Sequence, residues 1–166
     1  GYAFTGRARD GERLRVLGQL RDAMPRVPAL GRGVLLRVDE LGVPDRQLLH
    51  ERHLISKELA GLEGALPVRS GAALVLADTV SVMVNEEDHL RLQAMRSGFD
   101  PSGAYALAAR LDTELGAQVP YAWHDEFGFL TACPTNTGTG MRASVLIHLP
   151  GLVLTKEIAK VLAGLQ

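Results

Sequence analysis

Two stretches of this sequence concentrate side chains that could handle a phosphate group. The longer one, residues 128–149, reads GFLTACPTNTGTGMRASVLIHL and has the only cysteine of the chain, Cys133, before a Gly/Thr-rich turn and Arg142 after it. The turn offers hydroxyls, backbone N–H groups and glycines that tolerate a positive φ. A thiol, an anion-friendly turn and a guanidinium in one place indicate a phosphate-handling site.

The second stretch is NEEDHLR at residues 85–91, directly after an alternating apolar run. It supplies two neighbouring carboxylates, Glu86 and Glu87, and a cation, Arg91. Taken alone, consecutive acidic residues are more typical of a solvated turn, and a single arginine is more often a surface residue. Neither stretch alone indicates a catalytic site, so we interpret the two together.

NEEDHLR and CPTNxGTxMRAS, in this order, resemble the phosphagen (ATP:guanidino) kinase family, which transfers phosphate from ATP to a guanidinium. ERHLISKELA at residues 51–60 and VSVMVNEEDHLRLQ at residues 80–93 are most similar to its bacterial protein-arginine kinase branch. The small-metabolite branch has His where this chain has Leu146, which favours the same branch. The resemblance covers most of the chain.

The resemblance implies how the substrate would be held. A guanidinium is protonated at physiological pH, so carboxylates must orient it and accept a proton before a nitrogen attacks phosphorus. Glu87 matches the family's catalytic carboxylate, with Glu86 as its support. Cys133 matches the residue placed against the guanidinium. Nearby dipoles and Arg142 would favour its thiolate, which attracts the cation without acting as a covalent nucleophile.

The resemblance also implies a nucleotide site, with ATP and Mg²⁺ as cofactors and the Mg²⁺ held mainly by the phosphates rather than by a protein metal site. Arginine suits the loose transition state of phosphoryl transfer because its fork donates to two phosphate oxygens at once. Arg91 and Arg142 match the family's phosphate-binding arginines, and His53 matches the histidine that packs near adenine. The residues assigned to the nucleotide are Arg91, Arg142, Arg52, His53, Ser144 and Thr139.

Plainer interpretations stay open for single residues. Arg52 alone would be a surface charge, His53 a partly buried hydrogen-bonded ring, and Cys133 an inert buried thiol. Two other functions also stay open. One is a kinase for free arginine or a related metabolite, and the other is a catalytically incomplete module that binds nucleotide or phosphoarginine for regulation.

Two family segments are expected outside the chain. The SSRxR segment, with two phosphate arginines, would precede Gly1, and the RGxxGE loop, with another arginine and the second catalytic glutamate, would follow Gln166. The expectation is therefore one partial guanidino kinase catalytic domain over residues 1–166, truncated at both ends.

The composition of the chain limits the kinds of partner that we expect it to bind. The 166 residues are 46% hydrophobic, enough for a core, and 18 Lys+Arg against 19 Asp+Glu give no net field for nucleic acid or membrane. A single cysteine excludes an internal disulfide and fits a reducing compartment. We expect a cytoplasmic domain that acts on arginine-bearing proteins. The resemblance leaves open an activator protein and a homodimer formed through regions outside this chain.

Three helices are predicted from apolar residues at helical spacing. The first spans residues 10–24 with Asp10 as its cap, and the second spans 102–118 with Ser102 as its cap. The third follows Pro150 and carries its apolar residues on one side. Those residues are Leu154, Ile158, Val161, Leu162 and Leu165.

Strands are predicted where apolar residues alternate or run on between turn residues. Residues 128–149 would form a hairpin, with Arg142, Ser144, Leu146 and His148 on one face of its second arm and Val145, Ile147 and Leu149 on the other. The remaining strands are 33–38, 72–77, 80–84 and 121–125, with an Asp78-Thr79 turn joining the middle two. The predicted fold class is α+β. The resemblance implies an antiparallel sheet, as in glutamine synthetase, with helices mainly on one face.

Overall fold

The computed structural model describes residues 1–62, 64, 66–77 and 79–164 as an α+β fold. The helices are α1 Asp10–Ala23, α2 Val43–Glu51, α3 Lys57–Ala60, α4 Pro101–Gly116, α5 Pro150–Leu154 and α6 Ile158–Ala163. The strands are β1 Val34–Arg37, β2 Ala73–Ala77, β3 Val80–Val84, β4 Leu90–Ala94, β5 Trp123–His124 and β6 Gly128–Phe129. An antiparallel sheet flanked by helices is thus confirmed. None of the helices in the described ranges combines the length and the hydropathy of a membrane span.

The main sheet has four antiparallel strands in the order β1-β2-β3-β4. Its central strands are apolar on both faces because both faces are covered. On one face, α1 and α4 bring Leu20 and Leu111 against Val75 and Val82. On the other, Leu74 and Met83 pack with a smaller group that includes Leu59 of α3. The two long helices therefore share one face, as predicted, and the shorter α3 covers the other.

Three of the four strands of the main sheet were predicted closely, and β4 was not predicted. Residues 33–38, 72–77 and 80–84 contain β1, β2 and β3, and Val84 of β3 pairs with Leu90 of β4 across the sheet. Of the predicted turn residues, Thr79 lies in a turn and Asp78 lies outside the described residues. Helices α2 and α3 fall in a region for which no element was predicted.

Both predicted helix caps were wrong, although both helices are present. In α1, Asp10 is the first helical residue, and Glu12 accepts a hydrogen bond from the backbone N–H of Arg9 at 2.9 Å. In α4 the cap is Asp100, whose Oδ1 accepts from the N–H of Gly103 at 2.9 Å. Asp100 is the better cap because a proline follows it at the first helical position, where no N–H is needed.

The prediction of a hairpin at residues 128–149 was wrong. Only Gly128–Phe129 forms a strand, paired with β5, and an isolated bridge joins Phe129 to Gly138. Residues 142–149 are exposed and lie outside any strand. Their alternating pattern fits a strand, but a strand also needs a neighbour to satisfy its N–H and C=O groups. No described strand pairs with them, so the predicted faces do not form. The strand predicted at 121–125 shortens to β5.

The predicted C-terminal helix is also broken. Helices α5 and α6 are separated at Lys156, whose φ of 60° lies in the left-handed region and cannot continue a right-handed helix. Most of the apolar side chains assigned to one face are exposed, including Leu154 and Leu162. Leu165 lies outside the described residues.

Candidate functional site

The first five residues of the NEEDHLR motif, 85–89, form a short loop between β3 and β4, and the last two begin β4. The loop closes on itself where the N–H of Asn85 donates to the carbonyl of His89 at 3.0 Å. Asn85 has a φ of 57°, a conformation that Asn adopts more readily than most residues. Glu86 is buried and Glu87 is exposed. The loop of residues 85–89 therefore turns one carboxylate inward and presents the next to solvent.

The Asn85 side chain, only 1% exposed, anchors this loop. Its Nδ2 donates to the carbonyl of Arg13 at 3.0 Å and to the carbonyl of Gly71 at 2.8 Å. Its Oδ1 accepts from Nδ1 of His89 at 2.8 Å, and the other ring nitrogen of His89 lies 2.7 Å from the carbonyl oxygen of Ala3. Because the amide uses both its donor and its acceptor, its orientation is fixed.

Gly71 extends the anchor towards β1. Its N–H donates to Oδ2 of Asp39 at 2.7 Å, and Asp39 forms an ion pair with Arg37 at 2.7 Å. Burial raises the pKa of Asp39, but the hydrogen bonds from Arg37 and Gly71 outweigh burial and hold that pKa below its ordinary value. Asp39 is therefore ionised at neutral pH. A Cβ at Gly71 would lie 3.2 Å from Nδ2 of Asn85, so this position has little room for a side chain.

Glu86 is held from two sides. Its side chain is 5% exposed, and its Oε1 accepts from Oγ of Ser56 at 2.7 Å and from Nη1 of Arg91 at 3.3 Å. Arg69 donates to its backbone carbonyl. A carboxylate with these partners is suited to support, while the exposed Glu87 is accessible to a substrate.

Ser56 and Arg69 are site residues that sequence reasoning missed. Ser56 stands before a run with helical character, which is a signal for a helix cap, and its Oγ does accept from the N–H of Leu59 at 3.1 Å. Its second contact, to Glu86, spans 30 residues and has no local signal. No local sequence pattern predicts the contact between Arg69 and Glu86 either.

Arg91 lies on β4, opposite Met83 of β3. Its ion pair with Glu86 orients the guanidinium, and its side chain remains 45% exposed. A cation oriented by a buried carboxylate and open to solvent could bind a phosphate with its remaining N–H groups.

The segment around Cys133 is tied together by its own side chains. Thr131 donates to the carbonyl of Cys133 at 2.7 Å, and the hydroxyls of Thr131 and Thr137 lie 3.0 Å apart. The half-buried Cys133 has its Sγ 2.9 Å from Oγ1 of Thr135. Arg142, which was expected to favour the thiolate, donates to Oδ1 of Asn136 at 3.2 Å, and no hydrogen bond between Arg142 and the thiol is found in the described part of the chain.

A single carboxylate joins the two motifs. Oδ1 of Asp88 accepts from the backbone N–H of Ala132 at 2.6 Å, across 44 residues of sequence. Ala132 immediately precedes Cys133. The structure therefore brings the loop of Glu87 and the segment of Cys133 together, as their chemistry requires.

The other residues predicted to bind the nucleotide are exposed. Arg52 and His53 are exposed, and the carbonyl of His53 accepts from Gln93 on β4 at 2.9 Å, which places them beside the strand that carries Arg91. Thr139 and Ser144 are also exposed. In the described part of the chain, no hydrogen bond links either to residues 85–89. No group of three His, Cys, Asp or Glu side chains suited to a metal is found among the described residues.

The sequence matches the family model described as ATP:guanido phosphotransferase, C-terminal catalytic domain, over residues 16–166. The chain belongs to the ATP:guanido phosphotransferase family. Among curated members of this family, protein-arginine kinases of Bacillus mycoides (strain KBAB4) and Bacillus anthracis (strain A0248) are each 45% identical over 141 residues. The match covers 84% of this chain and 38% of each relative. This chain therefore spans well under half the length of these family members.

Solved structures of family members share the fold. The duplicated taurocyamine kinase from Schistosoma mansoni, determined with bound transition state analog components, matches 96% of this chain with a TM-score of 0.78 and 26% identity, over 23% of its own chain. Lombricine kinase matches 84% of this chain and 42% of its own, with a TM-score of 0.71 and 22% identity.

The contact between Ser56 and Glu86 leads to a stability prediction. Replacing Ser56 by Ala should lower the free energy of unfolding by about 2 kcal/mol, because it removes a helix cap and a donor to a buried carboxylate. Urea denaturation would measure this change. Ser56→Thr keeps the hydroxyl and should lose less than half as much.

A matched control comes from α4. Ser102 is exposed and is not the cap of that helix, so Ser102→Ala should change stability by no more than about 0.5 kcal/mol. Equal unfolding midpoints for Ser56→Ala and Ser102→Ala would show that Ser56 does not support Glu86.

Proposed function

We propose that this chain is the catalytic part of an ATP-dependent phosphotransferase that phosphorylates the guanidinium of arginine residues in proteins. One observation carries the proposal: an exposed Glu87 follows a buried Glu86 paired with Arg91, in a loop bonded to the segment of Cys133. Family membership and the 45% identity to proteins named protein-arginine kinase support it.

In this proposal Glu87 orients the substrate guanidinium and takes a proton from the attacking nitrogen. The new N–P bond forms as the bond between the γ-phosphorus and the oxygen of ADP breaks, and the proton passes to the Glu87 carboxylate. Cys133 contacts the guanidinium of the substrate through its sulfur. Glu86 does not react; it holds Arg91 in place.

ATP is the phosphate donor, and Arg91 and Arg142 bind its phosphates. Arg52, His53, Thr139 and Ser144 complete the nucleotide site. The groups that this chain offers the nucleotide are cationic or hydroxylic, which fits phosphate oxygens better than a bare cation. Mg²⁺ accompanies ATP and neutralises phosphate charge when bound.

We also propose a cytoplasmic location and arginine-bearing proteins as partners. The single cysteine fits a reducing compartment, and the net charge of −1 supplies no general attraction to nucleic acid or an anionic membrane. An activator protein and a homodimer through regions outside this chain remain hypotheses of the same kind.

A second candidate function is a module that binds nucleotide without catalysis. The observation in its favour is that Arg142 bonds Asn136 while residues 142–149 are exposed and unpaired within the described ranges. The nucleotide side is thus less assembled than the carboxylate side.

The test is acid-labile phosphate transfer from γ-labelled ATP by the 166-residue chain, with an arginine-rich protein or free arginine as acceptor. Transfer mainly to protein supports the proposal, and faster transfer to free arginine favours a metabolite kinase. ATP binding that is lost in Arg142→Ala, without transfer to either acceptor, supports the binding module. A chain that neither binds ATP nor transfers phosphate contradicts both functions.

A further inference from the structure

Asp88 makes the contact that relates the two halves of the candidate site. Its Oδ1 accepts from the N–H of Ala132 at 2.6 Å, and its side chain is half-buried. A hydrogen bond from a backbone N–H to an ionised carboxylate is shorter and stronger than a neutral one. The bond therefore defines the position of Ala132, and with it that of the next residue, Cys133.

Each half is closed by its own hydrogen bonds. The loop of residues 85–89 is closed between Asn85 and His89. The segment of residues 131–137 is closed by contacts of Thr131 with Cys133 and Thr137. Because the loop of residues 85–89 and the segment of residues 131–137 are each held by internal hydrogen bonds, a few bonds between them set their relative position. Asp88 supplies one of these bonds.

We propose that Asp88 is a positioning residue, which sets the thiol of Cys133 relative to the carboxylate of Glu87 by accepting the hydrogen bond from Ala132. The consequence for catalysis rests on the proposed function, in which the sulfur of Cys133 and the carboxylate of Glu87 hold one guanidinium from two sides. Asp88 acts as a hydrogen-bond acceptor and takes no proton. A displacement of either group by about 1 Å would lower the rate of phosphoryl transfer about a hundredfold.

Alkylation of Cys133 tests the contact without any need for ATP. Cys133 is the only cysteine, so mass spectrometry of the iodoacetamide-treated chain reports on this thiol alone. Asp88→Ala removes the acceptor and should raise the alkylation rate about tenfold, because the segment opens more often once a charge-assisted hydrogen bond is lost. Asp88→Asn keeps a carbonyl oxygen in the same place but lacks the charge, so it should raise the alkylation rate only about threefold.

Two further variants separate the hydrogen bond from other effects. Ala132→Pro removes the same N–H from the other side and should raise the rate as Asp88→Ala does, with no additional rise in the double variant. Asp125→Ala removes an exposed acidic residue elsewhere and should leave the rate unchanged. If Asp88→Ala does not fold, as judged by circular dichroism, Ala132→Pro carries the comparison.

Kinetics provide the second measurement. Asp88→Ala should lower kcat about a hundredfold with little change in KM for ATP, and Asp88→Asn should lower kcat by a smaller factor. Equal alkylation rates in the wild type, Asp88→Ala and Ala132→Pro would overturn the proposal. So would a rise in Asp88→Asn as large as that in Asp88→Ala, since the acceptor oxygen that Asn retains would then contribute nothing. A wild type without phosphoryl transfer would contradict the proposed function only, because the alkylation result would still stand.

Discussion

Glu87→Gln is expected to lower kcat for phosphoryl transfer by about 10²- to 10⁴-fold, the usual contribution of a positioned acid or base. Gln has nearly the shape of Glu and keeps a hydrogen-bond acceptor, but it does not take the proton released by the guanidinium. Because Glu87 is exposed, the substitution should leave the free energy of unfolding within about 0.5 kcal/mol of the wild type. Initial rates with γ-labelled ATP and an arginine-rich protein would measure the effect.

The neighbouring variant Glu86→Gln should behave differently. It weakens the ion pair with Arg91 and the buried hydrogen bond from Ser56, so both stability and ATP affinity should fall. Glu157→Gln, at an exposed glutamate far along the chain, is the control for loss of one negative charge. An unchanged rate in Glu87→Gln would remove Glu87 from the mechanism, and equal behaviour of both variants would remove the distinction between catalytic and supporting carboxylates.

Asn85→Ala is expected to lower the free energy of unfolding by about 3–5 kcal/mol. It leaves the buried carbonyl of Gly71 without its donor, at a penalty of about 1–3 kcal/mol, and it removes a second, part-buried hydrogen bond to the carbonyl of Arg13. It also forces an alanine into a left-handed conformation, which adds about 1–2 kcal/mol. Urea denaturation monitored by the fluorescence of Trp123 would give the unfolding midpoint.

Asn85→Gly separates these two contributions. Glycine adopts a positive φ without strain, so this variant should recover about 1 kcal/mol relative to Asn85→Ala and still lack the hydrogen bonds. Asn136→Ala removes another asparagine hydrogen bond, the exposed one to Arg142, and should change stability by less than about 1 kcal/mol. If Asn85→Ala proved no more destabilising than Asn136→Ala, the loop would not depend on this anchor.

Local sequence predicted the elements that present the candidate carboxylates. The alternating residues before NEEDHLR predicted β3, and the loop follows it directly. The contacts that orient the loop were not predictable, since Asn85 reaches Arg13 across 72 residues and His89 reaches Ala3 across 86. Hydrogen bonds over such separations are set by tertiary packing and carry no periodic signal.

Where the prediction was wrong, a local pattern lacked its structural partner. Residues 142–149 alternate as a strand should, but β structure depends on a neighbouring strand that the alternation does not specify. The caps show the same limit on a smaller scale, because Ser102 and Asp100 both suit a helix start. Only the position of Pro101 relative to the first turn distinguishes them.

The anchors of the loop have a consequence for the order of folding. Residues 85–89 bond to the N-terminal segment at Ala3, to α1 at Arg13, to Gly71 and to Ala132. A β-hairpin forms in microseconds from neighbouring residues, but contacts of this sequence separation must wait until the intervening chain has collapsed. The carboxylates therefore acquire their final geometry late in folding. For the same reason, fraying of one element breaks one of these contacts and leaves the others, so the loop of residues 85–89 should lose its geometry only when several of them break together.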